Sequence, residues 1–139
     1  EMKGVPLRLE IGPKDIEKNQ CVLVRRHDRE KIFVSLDKLG EAVAEQLEAV
    51  RQGIYARAKA RRDEMTYCAE DAAQLKEIAD NKPGLVKAMW CGELACEDAI
   101  KEQMGLTSRC IPFEQEAVGD TCVCCGKPAK TMVFWGKAY

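Results

Sequence analysis

The chain has 139 residues, 46% hydrophobic and 32% charged, with a net charge of −1. That is a globular composition, large enough for one domain or two small ones. It holds no apolar run near the roughly 20 residues that span a bilayer, and no charged-then-apolar leader precedes its first strand-like segment. The net charge does not advertise nucleic-acid binding, but its distribution is uneven. Arg51, Arg57, Lys59, Arg61 and Arg62 crowd one stretch and Arg25, Arg26 and Arg29 another, while acidic residues gather between Glu93 and Glu116. Eight cysteines without export features point to a reducing, cytoplasmic setting with no membrane partner.

In chain order, Val5 to Ile11 alternates apolar and polar residues, which predicts a strand with Arg8 and Glu10 on one face. Gly12-Pro13 ends it, and Pro13 suits the first turn of a short helix through Glu17. Cys21 to Val24 is a continuous apolar run, as in a strand buried on both faces. Strand, short helix and strand together suggest a parallel βαβ piece. Arg26 to Arg29 reads as a polar turn with His27 on its surface, and Ile32-Phe33-Val34 as a third strand. Leu36, Leu39, Val43, Leu47, Val50, Ile54 and Ala58 then recur at steps of three and four, the stripe of a long amphipathic helix reaching Arg61 and Arg62. Asp37 is a candidate cap.

A second helix is expected over 69–79, broken by Asn81-Lys82-Pro83-Gly84. Leu85 to Trp90 reads as a strand delivering Cys91. Cys96 opens a helix that Gly105 stops. Ser108 to Phe113 and Lys130 to Trp135 read as further strands, before a tail ending at Tyr139. The expected class is α/β to α+β: a partial βαβ unit with its long helix over 1–63, and a small α+β domain over 64–139. Only three short strands precede the long helix, so this unit reads as the end of a larger domain.

Chemistry concentrates in two cysteine pairs. Cys91-Gly-Glu-Leu-Ala-Cys96 and Cys122-Val-Cys124-Cys125-Gly126 each bring two thiolates to one side of a metal. Two such pairs suit one tetrahedral zinc, which takes soft ligands and asks for no other geometry. Four thiolates leave no open position, so the role is structural. The ligands are read as Cys91, Cys96, Cys122 and Cys125, with Cys124 a rival for the last. A disulfide framework and a Cys-x-x-Cys redox pair are the competing readings. Cys21, Cys68 and Cys110 read as unligated core cysteines.

The stretch Lys3-Gly4-Val5-Pro6-Leu7-Arg8-Leu9-Glu10-Ile11-Gly12-Pro13-Lys14-Asp15 closely resembles the anticodon-domain motif of prolyl-tRNA synthetases. Trp90-Cys91-Gly92, Cys96-Glu97, Ser108 to Phe113 and Gly136-Lys137-Ala138-Tyr139 resemble that family's C-terminal zinc-binding extension, in its archaeal/eukaryotic-like architecture. The resemblance covers essentially the whole chain. It implies the end of a homodimeric proline–tRNA ligase, with ATP and Mg handled by a catalytic domain outside this chain. It also implies tRNA(Pro) as partner, with Lys3, Arg8, Glu10, Arg25 and Arg26 near the anticodon loop. An arginine can donate twice to guanine O6 and N7, and a glutamate can accept from a base amino group. An Arg8–Glu10 ion pair on a sheet surface is the plain alternative. In the family the terminal tyrosine, here Tyr139, reaches back toward the catalytic domain. A free-standing zinc-containing RNA-binding or scaffold protein is the other functional class to weigh.

Overall fold

A computed structural model describes residues 3–137, which divide by their contacts into two units between Ala60 and Arg61. The first contains β1 (Leu7–Glu10), α1 (Pro13–Glu17), β2 (Gln20–Arg25), β3 (Lys31–Ser35) and most of α2 (Leu39–Glu64). A single 3-10 turn, Leu36–Lys38, leads into α2, and the Ser35 hydroxyl caps it by accepting from the Asp37 N–H. The cap is therefore Ser35 rather than Asp37.

The three strands form one sheet in the order β1-β2-β3. Both pairings are antiparallel, with Arg8 opposite Val24 and Val22 opposite Phe33. This corrects the parallel βαβ expected from Val5 to Val24. Returning a strand in parallel takes a crossover of about a dozen residues or more. Residues 11–19, with only five of them helical, turn the chain straight back.

Alternation sorts the sheet into two faces. Cys21, Leu23 and Val34 form a core with Ile32, Leu36, Leu39, Ala42 and Val43, so this face carries α2. Arg8, Glu10, Val22, Val24, Lys31 and Phe33 occupy the other. Of the apolar stripe along α2, the beginning packs and Val50 is buried, but Leu47 is 42% exposed. The helix is longer than the sheet beneath it.

The second unit contains β4 (Thr66–Cys68), α3 (Ala72–Asn81), β5 (Leu85–Trp90), α4 (Leu94–Met104), β6 (Leu106–Cys110) and β7 (Thr131–Lys137). Its sheet runs β4-β5-β7-β6. Here a βαβ crossover does occur: β4 and β5 are parallel, joined through α3, whose N-cap Asp71 accepts from the Gln74 N–H. β7 is antiparallel to both β5 and β6. On one face Val86, Ala88, Val133 and Trp135 pack against Leu75 and Ile78 of α3 and Ile100 of α4. On the other, Met89 and Met132 pack against Cys96, Cys122 and Ala129. The mixed α+β class agrees with the sequence. No described helix is long and apolar enough to cross a membrane.

Candidate metal centre and basic sheet face

Two segments of the second unit build the cysteine cluster. β5 delivers Cys91 at its end, and Gly92-Glu93 turns the chain into α4, where the Cys96 N–H donates to the Glu93 carbonyl at 3.0 Å. The Trp90 indole N–H donates to the same carbonyl at 3.2 Å and pins the turn. The second segment folds as a tight knuckle. The Gly126 N–H donates to the Cys122 carbonyl at 2.9 Å, and the Cys122 N–H to the Lys127 carbonyl at 2.7 Å. Gly126 adopts φ +70°, a conformation that a side chain resists. The Val123 N–H docks the knuckle on β5 through the Met89 carbonyl at 2.9 Å.

The sulfurs of Cys91, Cys96, Cys122 and Cys125 all lie within 4.8 Å of one another. Cys91 is 3.6 Å from Cys96 and 3.8 Å from Cys125. A tetrahedron of thiolates at about 2.3 Å from zinc has edges of about 3.8 Å, whereas a disulfide needs about 2.05 Å. The set therefore has metal-site dimensions, and all eight cysteines are unpaired. Cys124 lies outside the four and packs half-buried against both apolar clusters of the unit. Cys21, buried, lies in the first unit's core as expected, but Cys68 and Cys110 are exposed, which corrects the core reading: each is the last residue of its strand, β4 and β6.

The thiols are tuned unequally. Burial pushes the Cys122 thiol up, but the N–H groups of Cys125, Cys124 and Cys91 aim at its sulfur and bring it down to about 7. Burial, with Cys125 and Cys91 beside it, drives Cys96 well above the usual thiol value. At Cys91 the Glu93 N–H lowers the thiol, yet burial and the Cys122 and Cys125 thiols leave it raised. A dication reverses this logic, because it holds all four as thiolates.

The first unit carries the residues expected to meet RNA. Arg8 and Glu10 share the sheet face opposite α2 and pair at 2.5 Å, with Lys31 3.5 Å from the Glu10 carboxylate. The Arg8 guanidinium holds that carboxyl below its ordinary value, with burial opposing and Lys31 helping. Arg8, Arg25, Arg26, Arg29 and Lys31 line a cavity of about 660 Å³ floored by Val5, Pro6, Leu7 and Val24. Lys31 escaped the sequence reading. Its alternation with Ile32 and Val34, which face the core, would have placed it here.

Arg25 differs from its neighbours. Its strand position puts it on the α2 side, where it donates to Gln46 at 3.3 Å and pairs with Asp28 at 2.7 Å and with Glu30. Lys3 is exposed at the start of the described residues, and Tyr139 lies outside them. In the basic stretch of α2, Arg51 pairs with Glu48 at 2.6 Å and Arg62 with Asp63 at 2.7 Å, as on a solvated helix.

Residues 1–46 match the family pattern described as anticodon binding domain, and residues 72–139 the one described as prolyl-tRNA synthetase, C-terminal. The whole chain is 59% identical to proline–tRNA ligase 2 of a Bacillus cereus strain, and spans 29% of that protein's length. It is 60% identical over the same span to the proline–tRNA ligases of Clostridium novyi (strain NT) and of a type F strain of Clostridium botulinum, again 29% of each.

Proposed function

The chain belongs to the prolyl-tRNA synthetase family, and on that premise we propose that it is the anticodon-recognition and zinc-supported C-terminal part of a cytoplasmic, homodimeric proline–tRNA ligase. We assign residues 1–63 to the anticodon-binding domain and 64–139 to the zinc domain. The ligase joins proline to tRNA(Pro) through an ATP-dependent adenylate. ATP and magnesium belong to the stretch of the relatives that this chain does not span. The observation that carries the reading is the order of two family patterns, anticodon-binding and then synthetase C-terminal, in one chain.

Cys91, Cys96, Cys122 and Cys125 would hold one zinc, which crosslinks the end of β5, the start of α4 and the knuckle. Its contribution is to folding, because four thiolates leave no place for substrate or water. Arg8 and Glu10 would read guanine edges in the unpaired anticodon loop, where proline tRNAs carry two adjacent guanines. Lys3 and Arg26 would add positive charge beside them. The geometry of Arg25 supports a different part for it, bracing the β2–β3 turn from below.

The test is binding of a proline-tRNA anticodon stem–loop to the chain, with Arg8→Ala as the variant. Affinity should fall by about 1–3 kcal/mol, and preference for one guanine should relax. Unchanged affinity and unchanged base preference would defeat the proposal. A separate arm concerns the tail: deleting Tyr139 from the full ligase should slow proline activation while zinc content stays the same. Unaltered adenylate formation would remove the tail from the active site.

A further inference from the structure

We infer that Phe33 is a stacking platform for an unpaired RNA base, set beside the Arg8–Glu10 pair. The inference rests on the anticodon-recognition reading and adds to it a contact that reads no base edge. Phe33 is the middle residue of β3, yet 68% of it is exposed. Its neighbours Ile32 and Val34 belong to the core beneath α2, so its ring stands on the opposite face. Register places it in one row with Val22 and Glu10, and the adjacent row runs Lys31, Val24, Arg8. Val22 and Val24 of β2 are each 8% exposed, so an apolar floor lies between the ring and the Arg8–Glu10 pair.

Paired residues on neighbouring strands stand about 5 Å apart, so the ring lies roughly 10 Å from Glu10. A base held at Arg8 and Glu10 leaves its neighbour in an unstacked loop over Phe33. The side chains of Arg8 and Lys31 are 66% and 60% exposed and can meet the connecting phosphates. An open ring flanked by cations on a sheet is the arrangement that single-stranded RNA requires: a π-face for any base and charge along the backbone.

The experiment measures binding of a 2-aminopurine-labelled anticodon stem–loop to the 139-residue chain. Phe33→Ala should weaken binding about five- to a hundredfold and abolish quenching of the label. Phe33→Trp and Phe33→Tyr should restore both, and Phe33→Leu should not, because an aliphatic chain offers apolar area without a π-face. Circular dichroism melts should match wild type, since the ring is outside the core. Wild-type affinity in Phe33→Leu overturns stacking. Loss of affinity in Arg8→Ala with none in Phe33→Ala overturns this inference and keeps anticodon recognition. No binding by the wild-type chain, or no change in either variant, overturns both.

Discussion

The Arg25 guanidinium is held by Gln46 of α2 and by Asp28 and Glu30 of the following turn, and its side chain is only 16% exposed. Arg26, which lines the cavity beside it, places its backbone N–H on the Pro6 carbonyl at 3.0 Å. Arg25→Ala therefore leaves the buried Gln46 amide and two carboxylates without this partner, and should cost on the order of 1–2 kcal/mol of stability in urea unfolding. Arg26→Ala should stay within about 0.5 kcal/mol of wild type, as substitutions at the surface away from buried networks usually do. Equal losses would show that the two arginines share one role. Glu10 offers a finer probe. Its carboxyl is held below the ordinary glutamate value, first by the Arg8 hydrogen bond. A depressed carboxyl contributes above its unfolded value, and the contribution is lost as pH falls through the folded one. The ion pair should thus persist through neutral and mildly acidic pH. A carbon-detected NMR titration should find the Glu10 midpoint below that of an ordinary glutamate in wild type and higher in Arg8→Ala. An unmoved midpoint would mean that the pair does not form.

Among the elements, those whose reading depends on local pattern were legible in the sequence. β5 falls on Leu85 to Trp90 as its apolar run implies, and Gly105 ends α4 where expected. Cys91, Cys96, Cys122 and Cys125 converge with metal-site spacing because each close pair is set by its own turn. What stayed hidden is pairing. An apolar run tells which face is buried but not which strand lies beside it, so the antiparallel sheet of the first unit was misread. Three-residue β4 is too short for any period to show.

The contact of His27 with α2 was equally invisible. A Cβ on Gly53 would sit 2.2 Å from the His27 ring, so the glycine is the seat of the β2–β3 turn on the helix. Glycine inside a helix normally costs about 1 kcal/mol relative to alanine. Here Gly53→Ala should destabilise, because the ring must leave. In a His27→Ala background the same change should stabilise by about 1 kcal/mol. Thermal denaturation of the four proteins in this cycle measures the coupling; additive effects would refute the contact.

At the scale of the whole molecule, the candidate metal site belongs wholly to the second unit, whereas the basic face belongs wholly to the first. Stripping metal with a chelator, or introducing Cys91→Ser, should loosen residues around β5, α4 and the knuckle and leave the first unit's sheet protected. Hydrogen exchange read segment by segment checks this. Uniform deprotection of both units would contradict it. Cys124→Ser should keep its metal, since that thiol packs among apolar side chains outside the cluster. Metal loss in Cys124→Ser with retention in Cys125→Ser would exchange the fourth ligand.

The strand order β4-β5-β7-β6 has a consequence in time. β7, last in sequence, lies between β5 and β6 and is the only described strand that pairs with β6. During synthesis β4, α3, β5, α4 and β6 emerge before the strand that joins β5 to β6. Until residues 131–137 emerge, one edge of β5 stays open and β6 has no partner. The first unit's hairpins can close on the nascent chain as they appear, but the second unit must wait for β7. A premature stop shortly before Thr131 would therefore leave an open sheet with its cysteine cluster attached, a form that quality-control proteases and chaperones should recognise at once.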